Sequence, residues 1–198
     1  MTVCCVQFVF YVKFLNCKLI FVVVLVIHTR ADPLFNELYT SIKSTDDSSV
    51  RETSLQALRG VITPAGDKMS DPIRKSILGT LQGMLAHPED TTRSAAAGCL
   101  GAMCHRLPAD ELESVVNDCL LNDDQSLDWT VRHGRSAALS VALKEACEQI
   151  YTPEWKDKIH KVLLNYLAAD RVPIVSNSVR AIGFLFKHLT AGRNRFLL

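Results

Sequence analysis

A repeat with a period near 40 residues dominates the sequence from Asp32 onward. Four residue pairs mark the same point in successive repeats, at steps of 42, 39 and 43 residues: Val50-Arg51, Thr92-Arg93, Val131-Arg132 and Ile174-Val175. Six positions after each pair stands a small residue, and a larger aliphatic residue follows it: Ala57-Leu58, Cys99-Leu100, Ala138-Leu139 and Ala181-Ile182. More apolar residues come three and four positions later, so each repeat contains an amphipathic helix with a small, closely packed side.

Each of these helices follows another amphipathic stretch that has its own start signal. The signals combine a capping or acidic residue with a nearby proline, which is tolerated in the first helical turn: Asp32-Pro33, Asp71-Pro72, Pro108-Ala109-Asp110 and Thr152-Pro153. The first helices are predicted at 34–43, 73–86, 111–121 and 154–168. Short polar turns follow them at 44–49, 87–91, 122–128 and 169–173.

The unit is therefore helix, turn, helix, repeated four times. Its period matches HEAT or armadillo repeats and excludes the 33 to 34 residues of ankyrin and tetratricopeptide repeats. We expect an all-α fold, an α-solenoid of about four HEAT-type helical hairpins in an armadillo-like superhelix. The predicted repeat bounds are about 32–68, 69–106, 107–150 and 151–190.

An acidic residue before each second helix and a basic residue at its start favour HEAT over armadillo repeats. The predicted structural ladder consists of Asp47 with Arg51, Asp90 with Arg93, and Asp128 with Arg132. Hydrogen bonds and ion pairs along such a ladder would order the stack, which depends on contacts between repeats. The fourth repeat departs from the pattern, because Val175 occupies the arginine position.

The segment 128–136 is the best candidate for a contact surface. Trp129, Arg132, His133 and Arg135 lie at the start of the third second-helix, where free N–H groups also favour an acidic partner. Tryptophan and arginine are frequent hot-spot residues. The alternative is structural: Trp129 covers the turn, Arg132 joins the ladder, and Gly134 permits close helix approach.

The sequence contains no recognisable catalytic or cofactor-binding motif, which favours a non-catalytic protein without a cofactor or metal. Cys99 and Cys104 point to different sides of one helix, and the acidic run near Asp124 lacks the glycine and glutamate of a calcium loop. The formal net charge is +1, with two tryptophans and four tyrosines, so direct nucleic-acid readout is not expected. Seven cysteines without framework spacing favour reduced thiols, with the four later ones in the core.

The first 31 residues form an apolar leader unlike the rest of the chain. Lys13 and Lys18 interrupt it, which disfavours a full membrane span, whereas residues 19–27 could form a signal-peptide core. We expect this leader to be a gene-model artefact, with a signal or anchor as the alternative. Residues 191–198 are expected to be a truncated tail, so that the chain is a fragment.

Three runs resemble the C-terminal HEAT array of the general-control translational activator family. They are 128–142 (DWTVRHGRSAALSVA), 168–174 (AADRVPI) and 179–185 (VRAIGFL). The resemblance covers about residues 33–190, and the run from Trp129 to Ser136 is its most specific part. The stretch 144–158 does not share it.

This resemblance implies a cytosolic scaffold that associates with ribosomes. It also implies activation of the kinase that phosphorylates the alpha subunit of translation initiation factor 2 in amino-acid starvation, through contact with the kinase's RWD domain. The ribosome contact would involve the longer parent array. The alternative function is a membrane-tethered or secreted helical-repeat adaptor, which depends on the apolar leader alone.

Overall fold

The computed structural model describes residues 31–122 and 124–195, and these residues form helices joined by short turns without any strand. The all-α prediction is therefore confirmed. The predicted leader lies outside the described residues, except that Ala31 begins the first helix. No helix within the described ranges is long and apolar enough to cross a membrane.

Nine α-helices can be assigned in the described ranges. They are α1 Ala31–Ser44, α2 Ser48–Ala65, α3 Asp71–Met84, α4 Asp90–Cys104, α5 Ala109–Ser114, α6 Trp129–Glu145, α7 Cys147–Ile150, α8 Lys156–Leu167 and α9 Val172–Arg195. A 3-10 turn, Gly66–Lys68, follows α2, and a π-helix, Val115–Leu120, continues α5. The helices divide into two compact units, one ending at Ile77 and the other beginning at Leu78, within α3.

The first unit is built on the hairpin of α1 and α2. Its apolar sides are buried, including Phe35 on α1 and Leu58 on α2. The hydroxyls of Ser41 and Ser54 lie 3.0 Å apart across the hairpin. The side chain of Asp47 caps α2 by accepting hydrogen bonds from the backbone N–H groups of Ser49 and Val50, which would otherwise lack partners at a helix start.

The second unit is organised around three second helices. Helix α6 packs against both α4 and α9, and α9 also packs against α8. Residues 96–104 of α4 are all buried, although the helix contains many small side chains. Small residues allow neighbouring helix backbones to approach closely, so this helix lies deep within the unit.

Two glycines in this unit lie where a neighbouring element leaves no room for a side chain. A Cβ atom at Gly101 would lie against Val141 and the backbone nitrogen of Ala142 on α6. A Cβ at Gly134 would collide with the carbonyl group of Leu85, which follows α3. Gly134 therefore permits the close approach that the structural interpretation expected.

The third and fourth first-helices differ from their predicted form. Predicted helix 111–121 is a short α-helix that continues as the π-helix Val115–Leu120. Predicted helix 154–168 begins two residues later, because the carbonyl of Thr152 accepts hydrogen bonds from the N–H groups of Trp155 and Lys156. Trp155 is the N-cap residue of α8 and is only 6 % exposed.

The four later cysteines occupy the core, as expected from their scattered positions. Cys99, Cys104, Cys119 and Cys147 are free thiols and are all buried. Burial raises the pKa of Cys104 to about 12 and that of Cys119 to about 11. These thiols therefore stay protonated at neutral pH and pack as small apolar groups.

Replacing Gly134 with alanine should destabilise the second unit by about 1 to 3 kcal/mol, because the new methyl group overlaps backbone rather than a mobile side chain. Urea unfolding monitored by circular dichroism measures the change. The matched control is Gly79→Ala, since a Cβ at Gly79 meets nothing within 4 Å and alanine favours the helix by about 0.5 to 1 kcal/mol. Equal stability of the two variants would contradict the close approach at Gly134.

Candidate protein-binding surface around Trp129

A buried arginine organises the region predicted to contact a partner. Arg93, in the first turn of α4, is 2 % exposed. Its Nη1 donates hydrogen bonds to the carbonyl oxygens of His87 and Pro88, each at 2.7 Å. Its Nη2 donates to Asp90 Oδ1 at 3.2 Å. The guanidinium group therefore satisfies the carbonyls of the turn before α4 and keeps an acidic partner for its charge.

The fourth contact of Arg93 crosses to the next second helix. Its Nε donates to Nδ1 of His133 on α6 at 3.2 Å. His133 is only 5 % exposed, and its Nδ1 also lies 3.3 Å from Asp90 Oδ1. Since Nδ1 accepts a hydrogen bond from Arg93, the neutral ring carries its proton on Nε2.

Burial holds the pKa of His133 below its ordinary value of 6.5, which favours the neutral ring. Asp90 raises this pKa and Arg93 lowers it, so the two charges oppose each other. A neutral His133 can accept the Arg93 hydrogen bond, whereas a protonated ring cannot.

The polar contacts continue from α6 to α9. The Ser136 hydroxyl donates to the His133 carbonyl at 2.8 Å, and Asn177 Nδ2 donates to Ser136 Oγ at 3.1 Å. Both Ser136 and Asn177 are buried. The hydrogen bonds therefore form one buried polar line that links α4, α6 and α9.

Trp129, the first residue of α6, lies at the exposed end of this line. Its ring centroid is 5.3 Å from Cζ of Arg93 and 5.4 Å from Cζ of Arg171, both within cation–π range. The side chain is held against these guanidinium groups, yet Trp129 remains 40 % exposed. A large aromatic group is thus fixed at the surface beside the exposed cation of Arg171.

Asp128 sets the start of α6 beside Trp129. Its Oδ1 accepts a hydrogen bond from the backbone N–H of Thr130 at 2.8 Å. The hydroxyl of Thr130, followed by its N–H and the charges of Arg93 and Arg171, lowers the pKa of Asp128. The exposed carboxylate therefore stays ionised and faces two arginines.

The other two predicted contact residues are partly exposed. Arg132 lies over the ring of Tyr166, with Cζ 5.8 Å from the centroid. Arg135 Nη1 donates to the carbonyl of Asn122 at 2.7 Å. Of the four predicted contact residues, Trp129, Arg132 and Arg135 reach the surface, while His133 is buried beneath them. Their role in contacting a partner stays a prediction.

The acidic and basic residues of the predicted ladder make different contacts in the three repeats. Asp90 and Arg93 form the ion pair already described. Asp47 and Asp128 cap their helices, and Arg51 donates to the carbonyl of Thr45 at 2.6 Å. Arg51 and Arg93 thus each bind the carbonyl six residues earlier, which fixes the preceding turn. A ladder role for all three pairs stays a prediction.

Sequence reasoning missed Arg171, Ser136 and Asn177 as parts of this region. The signal that could have found them is the repeat spacing itself: the contacts join residues 93 and 133, 136 and 177, and 129 and 171, which are one repeat apart. Among the described residues, no group of histidine, cysteine and carboxylate side chains could hold a metal ion.

Comparisons with known proteins identify the family. Residues 32–196 match the family described as "Stalled ribosome sensor GCN1-like, HEAT repeats". The chain belongs to the GCN1-like HEAT-repeat family. Its fold is therefore the predicted α-solenoid of HEAT hairpins, and the predicted resemblance to this family is confirmed.

Curated relatives of this family come from animals and plants. The chain is 46% identical over 162 residues to "Stalled ribosome sensor GCN1" from Homo sapiens and 44% identical over 167 residues to its Mus musculus counterpart, covering 82% and 84% of this chain. It is 33% identical over 158 residues, or 79% of the chain, to "Protein ILITYHIA" from Arabidopsis thaliana. The chain spans 6% of the length of each of these relatives.

Two solved structures of engineered proteins resemble this chain more weakly in sequence. One has a TM-score of 0.42 at 18% identity and covers 75% of this chain and 62% of its own. Another has a TM-score of 0.43 at 18% identity and covers 76% of this chain and 37% of its own.

Replacing Arg93 with lysine should destabilise the chain by about 2 to 4 kcal/mol, since an ammonium group cannot serve two carbonyls, Asp90 and His133 together. Urea unfolding measures the loss. The matched control is Asp90→Asn, which removes the partner whose side chain is 69% exposed and should cost less than about 1 kcal/mol. An equal loss in both variants would show that the ion pair, and not the turn carbonyls, carries the stability.

The stability of the chain should fall as the pH drops below 6.5, the ordinary pKa of histidine. The unfolded state binds a proton at His133 before the folded state does, so acid favours unfolding in this range. His133→Gln keeps a hydrogen-bond acceptor for Arg93 but does not titrate, and its unfolding free energy should depend less on pH. Urea titrations of the original chain and of His133→Gln at about pH 7.5 and about pH 5.5 measure how strongly each unfolding free energy depends on pH. An equal pH dependence in the two proteins would contradict the prediction.

Proposed function

We propose that this chain is a non-catalytic HEAT-repeat scaffold in translational control. In this proposal it works in the cytoplasm within a ribosome-bound array, and it helps to activate the kinase that phosphorylates the alpha subunit of initiation factor 2 in amino-acid starvation. Its family membership supports this role, because two relatives are named as sensors of stalled ribosomes.

The observation that carries a direct binding role is the position of Trp129. An exposed tryptophan normally loses side-chain entropy when a partner immobilises it. Here Arg93 and Arg171 already hold the ring, so a partner would meet a preformed aromatic surface. Arg171, Arg132 and Arg135 would supply positive charge around it, which suits a partner with exposed carboxylates.

We propose that this partner is the RWD domain of the kinase. The ribosome contact is assigned to the longer array, since the chain spans 6% of its relatives. In this scheme His133 does not touch the partner. It positions Trp129 indirectly, because it holds Arg93 and its ring lies 6.5 Å from that of Trp129.

Replacing Trp129 with alanine should weaken binding of the purified RWD domain to the full 198-residue chain at least tenfold, which corresponds to about 1.4 kcal/mol. Arg135→Glu should also weaken binding of the RWD domain, and the loss should grow as the salt concentration is lowered, since the substitution adds repulsion toward an acidic partner. Biolayer interferometry with immobilised chain measures both.

Lys75→Glu is the matched control, because it makes the same charge change at an exposed site on α3. Unchanged circular dichroism and unfolding midpoints would show that Trp129→Ala keeps the fold. If the RWD domain binds tightly and neither Trp129→Ala nor Arg135→Glu changes its affinity, the surface around Trp129 is not the contact. No binding to the chain at all would refute direct kinase contact by this region.

A further inference from the structure

One nitrogen atom beneath Trp129 lies between a hydrogen-bond donor and a hydrogen-bond acceptor. Nδ1 of His133 is 3.2 Å from Nε of Arg93 and 3.3 Å from Oδ1 of Asp90. In the neutral ring, Nδ1 accepts the hydrogen bond from Arg93 and has no proton to give to the carboxylate. In the protonated ring, Nδ1–H is a donor, which matches Asp90 and opposes the N–H of Arg93. The protonation state of His133 therefore decides which neighbour it binds.

Both neighbours are held by contacts that do not involve His133. Nη1 of Arg93 binds the turn carbonyls before α4, each at 2.7 Å, and Nη2 binds Asp90 at 3.2 Å. His133 accepts only one of the four hydrogen bonds that Arg93 donates. The side chain of Asp90 is 69% exposed, so it connects the buried ring of His133 with solvent. A change of partner at His133 therefore leaves the start of α4 in place.

Arg93 is also one of the two cations that hold the ring of Trp129. Its Cζ is 5.3 Å from the ring centroid, and the ring of His133 is 6.5 Å from that of Trp129. A protonated His133 would place two N–H groups of like charge 3.2 Å apart, which forces the guanidinium group to turn. Arg171, with Cζ 5.4 Å from the centroid, still holds the indole. The Trp129 ring therefore reorients without leaving the surface.

The charged groups around His133 come from four parts of the chain. Asp90 and Arg93 lie on α4, and the other elements contribute the following groups: His87 and Glu89 before α4, Asp128 before α6, Arg132 and Arg135 on α6, and Arg171 before α9. Burial lowers the pKa of His133 below its ordinary value of 6.5, Asp90 raises it and Arg93 lowers it. Protonation of the folded chain therefore belongs to mildly acidic solution.

We propose that His133 is a proton-operated switch of the surface around Trp129. Nδ1 takes up a proton from solvent, releases the N–H of Arg93 and donates to Oδ1 of Asp90. The guanidinium group of Arg93 then turns, and the Trp129 ring takes a second orientation beside Arg171. The surface thus has a neutral form and an acidic form within the folded chain. The inference does not rest on the proposed function, because every contact in it lies within this chain.

Nuclear magnetic resonance of the isotope-labelled, full 198-residue chain between about pH 8 and about pH 5 tests the switch. The ring signals of His133 should titrate with a midpoint below 6.5, and the indole N–H signal of Trp129 should move with the same midpoint. The spectra of His133→Gln and Trp129→Phe identify these signals by their absence. His133→Gln keeps an acceptor for Arg93 but does not titrate, so its Trp129 signal should move at least about fivefold less.

Asp90→Asn tests the acidic form, because it removes the charge that Nδ1–H binds. It should move the midpoint of His133 to lower pH by about 0.5 to 1. The matched control is Asp157→Asn, which makes the same charge change at an exposed site on α8 and should leave the midpoint unchanged. Equal midpoints in the two variants would refute the exchange of partners.

Three further results would overturn the proposal. The first is a Trp129 signal that does not follow the titration of His133. The second is a Trp129 signal that moves as far in His133→Gln as in the original chain. The third is the loss of the dispersed backbone signals of the folded chain at the midpoint of His133, since protonation would then unfold the chain instead of switching its surface.

Discussion

The hydrogen bonds of Arg93 are the contacts on which the second unit depends. One guanidinium group serves two turn carbonyls, an exposed carboxylate and a histidine on the next helix. Burying an arginine is costly unless its donors are satisfied. Here the exposed carboxylate of Asp90 balances the charge, while the other N–H groups of Arg93 bind the turn carbonyls and His133. The turn before α4 and the start of α6 are therefore fixed together.

The repeat pattern allowed the helices to be predicted because apolar spacing depends on local helix geometry. The buried Leu58, Leu100 and Leu139 follow from that spacing, and the start of α3 at Asp71 follows from the Asp71-Pro72 start signal. The π-helix Val115–Leu120 left no such signal, since one extra residue in a turn leaves the apolar composition almost unchanged. The late start of α8 depends on hydrogen bonds to the Thr152 carbonyl. The Thr152-Pro153 signal predicts a helix start but does not show that these bonds delay it.

The candidate surface was only partly predictable for a related reason. Trp129 and His133 are one helical turn apart, and both were predicted to contact a partner. The structure separates them, because α4 presents Arg93 to His133 while the Trp129 ring stays at the rim. Which side of a helix meets its neighbour depends on a residue one repeat away, and local periodicity does not contain that information.

The two tryptophans of the chain lie in opposite surroundings. Trp155 is 6 % exposed at the start of α8, whereas Trp129 is 40 % exposed beside two guanidinium groups. Their indoles therefore act as two built-in optical probes, one sensing the packed interior and one sensing the hydrated surface. A chain that keeps only Trp129 would report events at that surface through its emission colour, without any attached dye, while a chain that keeps only Trp155 would report the integrity of the fold.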